Sequence, residues 1–120
     1  MMKMLENSTD KVLVIQASGE ITDDDYQSVL IPEMQKLKDA NGEIRTVIYF
    51  DDSFTGFTMG AMVDDAVFGM KNLTSFTKVS VVGLHSWLEG FVSLAQKVAP
   101  NVVKKFEFDE MDEALKWAEG

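Results

Sequence analysis

Cysteine is absent from the 120 residues, which removes disulfides, thiolate chemistry and cysteine-based zinc sites together. Histidine occurs once, at His85, so one chain cannot build a multi-histidine metal site. Positive charge is scarce: 11 Lys and Arg against 20 Asp and Glu leave a net charge of −9, and Lys104-Lys105 is the only basic cluster. Such a surface repels a phosphate backbone, so no nucleic-acid partner is expected. It also weakens attraction to anionic lipid, leaving apolar insertion or a zwitterionic surface as the route to a bilayer. No apolar run approaches the roughly 18 residues of a membrane span. The opening Met-Met-Lys-Met-Leu-Glu meets a charge too early for a signal peptide, and a cytoplasmic location is expected, with any membrane contact peripheral and at the inner face.

The motifs of catalysis are missing too. Neither a Walker A segment nor Gly-x-Gly-x-x-Gly occurs, and His85 has no Gly-x-Ser-x-Gly serine to serve. Asp51-Asp52 closes a strand where open α/β sheets place ligands, and paired carboxylates there could hold magnesium. The phosphatase pattern Asp-x-Asp-x-Thr fails, however, because Ser53 stands where the second aspartate belongs. These aspartates read as solvated strand ends. No cofactor is expected, and the chain reads as a binding or regulatory module rather than an enzyme.

What is present is a single domain over residues 1–120 with 46% apolar content. Met1 to Asn7 and Val12 to Ser18 predict two strands joined by the turn Asn7-Ser8-Thr9-Asp10. Thr22 followed by three aspartates predicts a helix start, since a hydroxyl cap and early negative charge suit exposed backbone N–H groups. Tyr26, Val29, Leu30, Met34 and Leu37 continue at helical spacing, with Pro32 predicting a kink or a second helical piece, and Asn41-Gly42 closing it. Ile44 to Asp51 reads as a buried central strand, Met59 to Leu73 as a helix and Lys78 to Gly83 as a strand. Ser86-Trp87-Leu88-Glu89 has capping-box spacing for a helix ending near Val98, whose Trp87, Phe91, Leu94 and Val98 form a predicted core face. Val102 to Phe108 is the last strand, and Asp109 is predicted to cap a final helix. The order ββαβαβαβα demands crossovers and a mixed, mostly parallel five-stranded sheet with about four helices.

The stretch from Phe54 to Met70 holds more apolar residues than one buried helical face can take. At about 100° per residue, Met59, Met62, Val63, Ala66, Val67 and Met70 share one side, predicted to face the core. Phe68 falls opposite, beside Asp64 and Asp65, and projects to solvent unless the loop around Phe76 covers it. Phe54 and Phe57 add two rings just ahead, and Gly56, Gly60 and Gly69 loosen the backbone. Unbranched sulfur side chains adapt to varied shapes, so this segment is a candidate mobile cover over an apolar ligand. Phe54, Phe57, Met59, Met62, Phe68, Met70 and Trp87 are the candidate ligand-binding residues.

Several short motifs resemble the bacterial SpoIIAA-like proteins: Gly19-Glu20-Ile21-Thr22 with Asp25-Tyr26 and Pro32, Phe50-Asp51 with Phe54 and Gly56, Asp64-Asp65 with Phe68-Gly69, Val79 to Gly83 with Trp87, and Ala114 with Trp117. The resemblance spans nearly the whole chain and implies the STAS-like fold of sulfate-transporter modules and anti-sigma factor antagonists, a fold also compared with the lipid-binding CRAL-TRIO domains. Antagonists carry a phosphorylatable serine in an Asp-Ser-Ser-Gly-type segment. Here the segment is Asp51-Asp52-Ser53-Phe54-Thr55-Gly56, with Ser53 and Thr55 as candidate phosphorylation sites and Phe54 intruding. The leading expectation is a non-enzymatic module binding an apolar or lipid-like ligand, with peripheral membrane association. The alternative is a protein-interaction switch regulated by phosphorylation near Ser53, and the exposed helix also fits a homodimer.

Overall fold

Leu13–Ala17 and Ile44–Phe50 carry apolar side chains at most positions, and such strands need cover on both faces. The computed structural model, which describes residues 1–83 and 89–120, supplies it. Strands β1 (Met2–Met4), β2 (Leu13–Ala17), β4 (Ile44–Phe50), β6 (Phe76–Val82) and β7 (Val103–Phe106) form one sheet in the order β1-β2-β4-β6-β7. Only β1 runs antiparallel, along β2; the other three pairings are parallel. Alternation sorts each strand's side chains. Ile44, Ile48 and Phe50 of β4 join a core on one face, and Val47 and Tyr49 join a smaller one on the other, against helix α5 (Met111–Glu119).

The larger core lies under the helices of the opposite face. Thr22 opens them through a reciprocal capping box: its Oγ1 accepts from Asp25 N, and the Asp25 carboxylate accepts from Thr22 N at 2.8 Å. Helix α1 (Asp23–Asp25) passes through a π turn (Tyr26–Leu30) into α2 (Ile31–Asn41), where Pro32 sits in the first turn. The predicted break at Pro32 thus takes the form of a π turn, in which Ile31 N–H reaches back to Tyr26 O. Gly42, at φ 75°, closes α2 in the left-handed conformation that the predicted Asn41-Gly42 stop requires. The expected mixed, mostly parallel five-stranded sheet with about four helices holds.

Four features depart from the sequence reading. Glu20–Ile21 (β3) and Gly56–Phe57 (β5) pair in a separate two-stranded ribbon, too short to leave a periodic signal. Helix α3 (Met59–Lys71) is rotated about its axis from the predicted orientation. Ala61 is buried on its inner side, while Met59, Val63, Val67 and Met70 stay 78%, 58%, 48% and 72% exposed, with Met62 and Ala66 also outward. Its inner side is held instead by polar anchors and by the Phe68–Phe76 contact described below. In α4 (Glu89–Val98), Val92 is buried and the predicted core residues Leu94 and Val98 are exposed. Finally, Glu110 rather than Asp109 takes the cap position of α5, and its carboxylate accepts from Glu107 N at 2.7 Å instead of from the helix. The expected capping box at Ser86, together with His85 and Trp87, lies outside the described residues.

Gly83, after β6, adopts φ 76°, and a Cβ there would stand 2.5 Å from both the Phe108 ring and the Phe50 carbonyl oxygen. Gly19, at φ 59°, has open space around the same position. Gly19→Ala is therefore expected to cost about 1 kcal/mol, from backbone strain alone. Gly83→Ala adds a backbone clash and is expected to cost about 2–3 kcal/mol. Urea unfolding of the two variants checks this, and equal losses would refute the steric account.

Candidate functional site

The floor of the site is the sheet face formed by Thr46 and Ile48 of β4, Val79 of β6 and Val103 of β7. One wall comes from the π turn and the start of α2, through Tyr26, Leu30, Ile31 and Met34. Asp65, Phe68 and Gly69 of α3 close over it with Leu73 and Phe76. Ala95 and Val98 of α4, followed by Ala99 and Val102, complete the rim. Together they surround a cavity of about 210 Å³. A cavity of about 150 Å³ with such apolar walls stays dry and admits a benzene-sized molecule, so this one has room for a small apolar body.

Helix α3 is held over the cavity by its polar side. Tyr26 Oη donates to Asp65 Oδ1 at 3.0 Å. At the other end, Lys38 Nζ donates to Asn72 Oδ1 at 2.7 Å, and Asn72 Nδ2 donates to Phe68 O at 2.9 Å. Between them Phe68 meets Phe76 edge to face, with ring centroids 6.1 Å apart. These contacts fix the rotation that turns the methionine and valine side outward. Phe68 is half-buried, covered by Phe76 as one of the two sequence alternatives allowed.

Carboxylates cluster where α1 meets α3. Asp23 faces Asp64: hydrogen bonding with Asp64, then burial and the charges of Asp64 and Asp24, push the Asp23 carboxyl above its ordinary range. Asp64 Oδ2 is buried with no hydrogen-bond partner among the described residues. Burial likewise pushes Asp65 up, and the Tyr26 hydrogen bond offsets only part of it. Asp65 is an exposed residue that also lines the cavity, and the protein atoms around its carboxyl displace enough water to disfavour the charge. Tyr26, almost fully buried, has its phenol held far above its usual range by burial and by the Asp65 charge.

The remaining candidate residues sit elsewhere. Phe54 is buried in an aromatic cluster, with Phe50 at 4.6 Å and Phe57 at 5.4 Å between centroids, and Phe57 also reaches Tyr26 at 6.5 Å. Among the candidates in the described residues, Phe68 alone lines the cavity, and Met59, Met62 and Met70 cover the outer side of α3. Asp51 accepts from Gln16 Nε2 at 2.8 Å, Ser53 Oγ at 2.7 Å, Ser53 N at 3.0 Å and Ser18 Oγ. Burial opposes its ionisation, but these donors outweigh burial and hold the carboxyl well below the usual range. Among the described residues no group of three or more acidic or histidine side chains is placed to hold a metal ion. Nor is any described helix long and apolar enough to cross a membrane. Sequence reasoning missed Tyr26, Asp65 and Phe76 as parts of one site. The periodicity of Tyr26, Leu30 and Met34 was the available signal, since it marks the helix face laid against the sheet.

A SpoIIAA-like family model matches residues 12–119. The chain belongs to the SpoIIAA-like family. An uncharacterized protein with a SpoIIAA-like fold from Shewanella loihica PV-4 has a crystal structure that superposes with a TM-score of 0.71 at 24% identity, covering 98% of this chain and 92% of that one. No curated protein matches in sequence. For a SpoIIAA-like domain the fold suggests a regulatory or interaction module.

The raised carboxyl of Asp65 has a definite sign. Its folded pKa lies above the unfolded value near 3.8, so ionising it works against the fold, and stability falls as pH rises from that value through the folded pKa. Asp65→Asn keeps an acceptor for Tyr26 and removes the charge. It is expected to be more stable than the parent at pH 7, with the gain shrinking as pH is lowered toward 4. Urea midpoints across that range check it, and a gain independent of pH would contradict the assignment.

Proposed function

We propose that this SpoIIAA-like domain is a non-enzymatic binding module that takes an apolar or lipid-like ligand beneath α3 and associates peripherally with a membrane surface through the outer side of that helix. The carrying observation is the orientation of α3, which covers an apolar cavity with one side while presenting Met59, Met62, Val63, Val67 and Met70 to solvent with the other. A contiguous exposed apolar surface of this kind marks an interaction site. Its methionines suit an irregular, fluid contact such as lipid chains. With a net charge of −9, the matching surface is zwitterionic rather than anionic.

Two variants separate the halves of this reading. Gly69 lines the cavity, and a Cβ there would meet nothing within 4 Å. Gly69→Leu should therefore fill space, lower 1-octanol binding about tenfold by calorimetry, and strengthen α3 by about 0.5–1 kcal/mol. The triple variant Met59→Ser, Val63→Ser, Met70→Ser should reduce binding to phosphatidylcholine vesicles about tenfold with little loss of stability, because the side chains removed are mostly exposed to water in the free protein. Unchanged octanol affinity in folded Gly69→Leu would sink the ligand site. Unchanged vesicle binding in the triple variant would sink the membrane contact.

A second reading, an interaction switch set by phosphorylation at Ser53 or Thr55, is favoured by the exposure of both residues. Ser53 Oγ is engaged by Asp51 Oδ1 and by Gly19 N at 3.1 Å, so a phosphate there would meet a carboxylate that holds its charge firmly. Thr55 is the better acceptor on this ground. Phosphopeptide mapping of native material that finds neither residue modified would end this reading.

A further inference from the structure

Resting on the cavity reading above, the polarity of the lining narrows the ligand further. Among the described lining residues the only polar side chains are Tyr26, Thr46 and Asp65, and none is a lysine, arginine or histidine. The two hydroxyl donors are already used: Tyr26 Oη donates to Asp65, and Thr46 Oγ1 donates to Leu13 O at 3.0 Å. The nearby cation on α2, Lys38, is occupied by Asn72. A carboxylate or phosphate head would find no free side-chain donor among the described lining residues and would meet the Asp65 carboxylate. Asp65, by contrast, is an exposed residue of the cavity lining whose Oδ2 has no protein donor among the described residues.

We infer that the cavity selects an amphiphile whose short apolar body is capped by a cationic, hydrogen-bond-donating head, a primary alkylammonium, which donates to Asp65 Oδ2 while Tyr26 keeps Oδ1. A charge-assisted bond in a partly desolvated mouth is stronger than a neutral one and favours the cation over a hydroxyl head. Repulsion and the lack of donors disfavour the anion. The volume of about 210 Å³ suits a body of roughly six to eight carbons, scaled from the benzene-sized occupant of a cavity of about 150 Å³.

The test compares octylammonium, 1-octanol and octanoate by calorimetry at pH 7, on the intact chain and on Asp65→Asn. Octylammonium is expected to bind about tenfold tighter than octanol, and octanoate about tenfold weaker or worse. In Asp65→Asn the octanol affinity should persist while the advantage of the amine disappears. Asp112→Asn, which removes one charge from α5 on the other face of the sheet, should leave that advantage intact and so separates a local contact from overall charge. Three ligands of equal affinity, octanoate binding as tightly as the amine, or an amine preference that survives in Asp65→Asn would each overturn the head-group inference while leaving the cavity reading standing. Failure of all three to bind would overturn both. The comparison on the unmodified protein stands even if a variant does not fold.

Discussion

The hydrogen bond from Tyr26 to Asp65 joins two segments far apart in sequence, and most of what is unusual in this SpoIIAA-like domain depends on it. An amphipathic helix beside a sheet ordinarily turns its apolar side inward, because burial of each large side chain contributes roughly 1.5–3 kcal/mol. Helix α3 does the reverse. Its inward stripe of Ala61, Asp64, Asp65 and Phe68 docks on Tyr26, Asp23 and Phe76, while the side richest in methionine and valine is left to water. A polar anchor thus holds a helix whose strongest hydrophobic surface remains unused within the monomer.

That arrangement ties together local stability and access to the cavity. The carboxyls of Asp23 and Asp65 are both pushed up where α3 meets the first helical segment, so this contact is less favourable when they are charged than when they are neutral. The sheet side is different in kind. Val14, Ile15, Ile44 and Val47 are fully buried, and Thr46 and Ser80 satisfy their hydroxyls on backbone carbonyls. One half of the molecule is therefore a tightly satisfied scaffold, and the other is a cover resting on a few polar contacts.

Much of the scaffold was legible in the sequence because its signals are local. Thr22 with Asp25, Pro32 and Gly42 punctuate the first helical stretch, and the apolar run of β4 marks the centre of the sheet. The sidedness of α3 was not legible. A helical wheel gives two faces but not which one is inside, and Asp64-Asp65 reads locally as a solvent face. The contact that decides the matter lies 39 residues away at Tyr26. Val98 misled in the same way, since an apolar residue at the rim of a cavity carries the same spacing as one inside a core, and Leu94 shares that spacing yet faces solvent. Phe68 was singled out for facing away from its apolar neighbours, and the structure keeps that anomaly but reverses its sense: Phe68 is inside and the neighbours are outside.

The π turn at Tyr26–Leu30 makes the first helical stretch one residue longer than an α-helix of the same span would need. Such a turn is geometrically equivalent to a single inserted amino acid, and it lets Tyr26 and Met34 point toward the same cavity on either side of Pro32. The smallest change in the length of this chain, one residue lost between Tyr26 and Leu30, would return the stretch to plain α-helix and leave Tyr26 and Met34 on one side, because the π turn already absorbs that residue's roughly 100°. In evolutionary terms the turn is a length buffer: one codon gained or lost there changes the chain without changing which side of the helix meets the cavity.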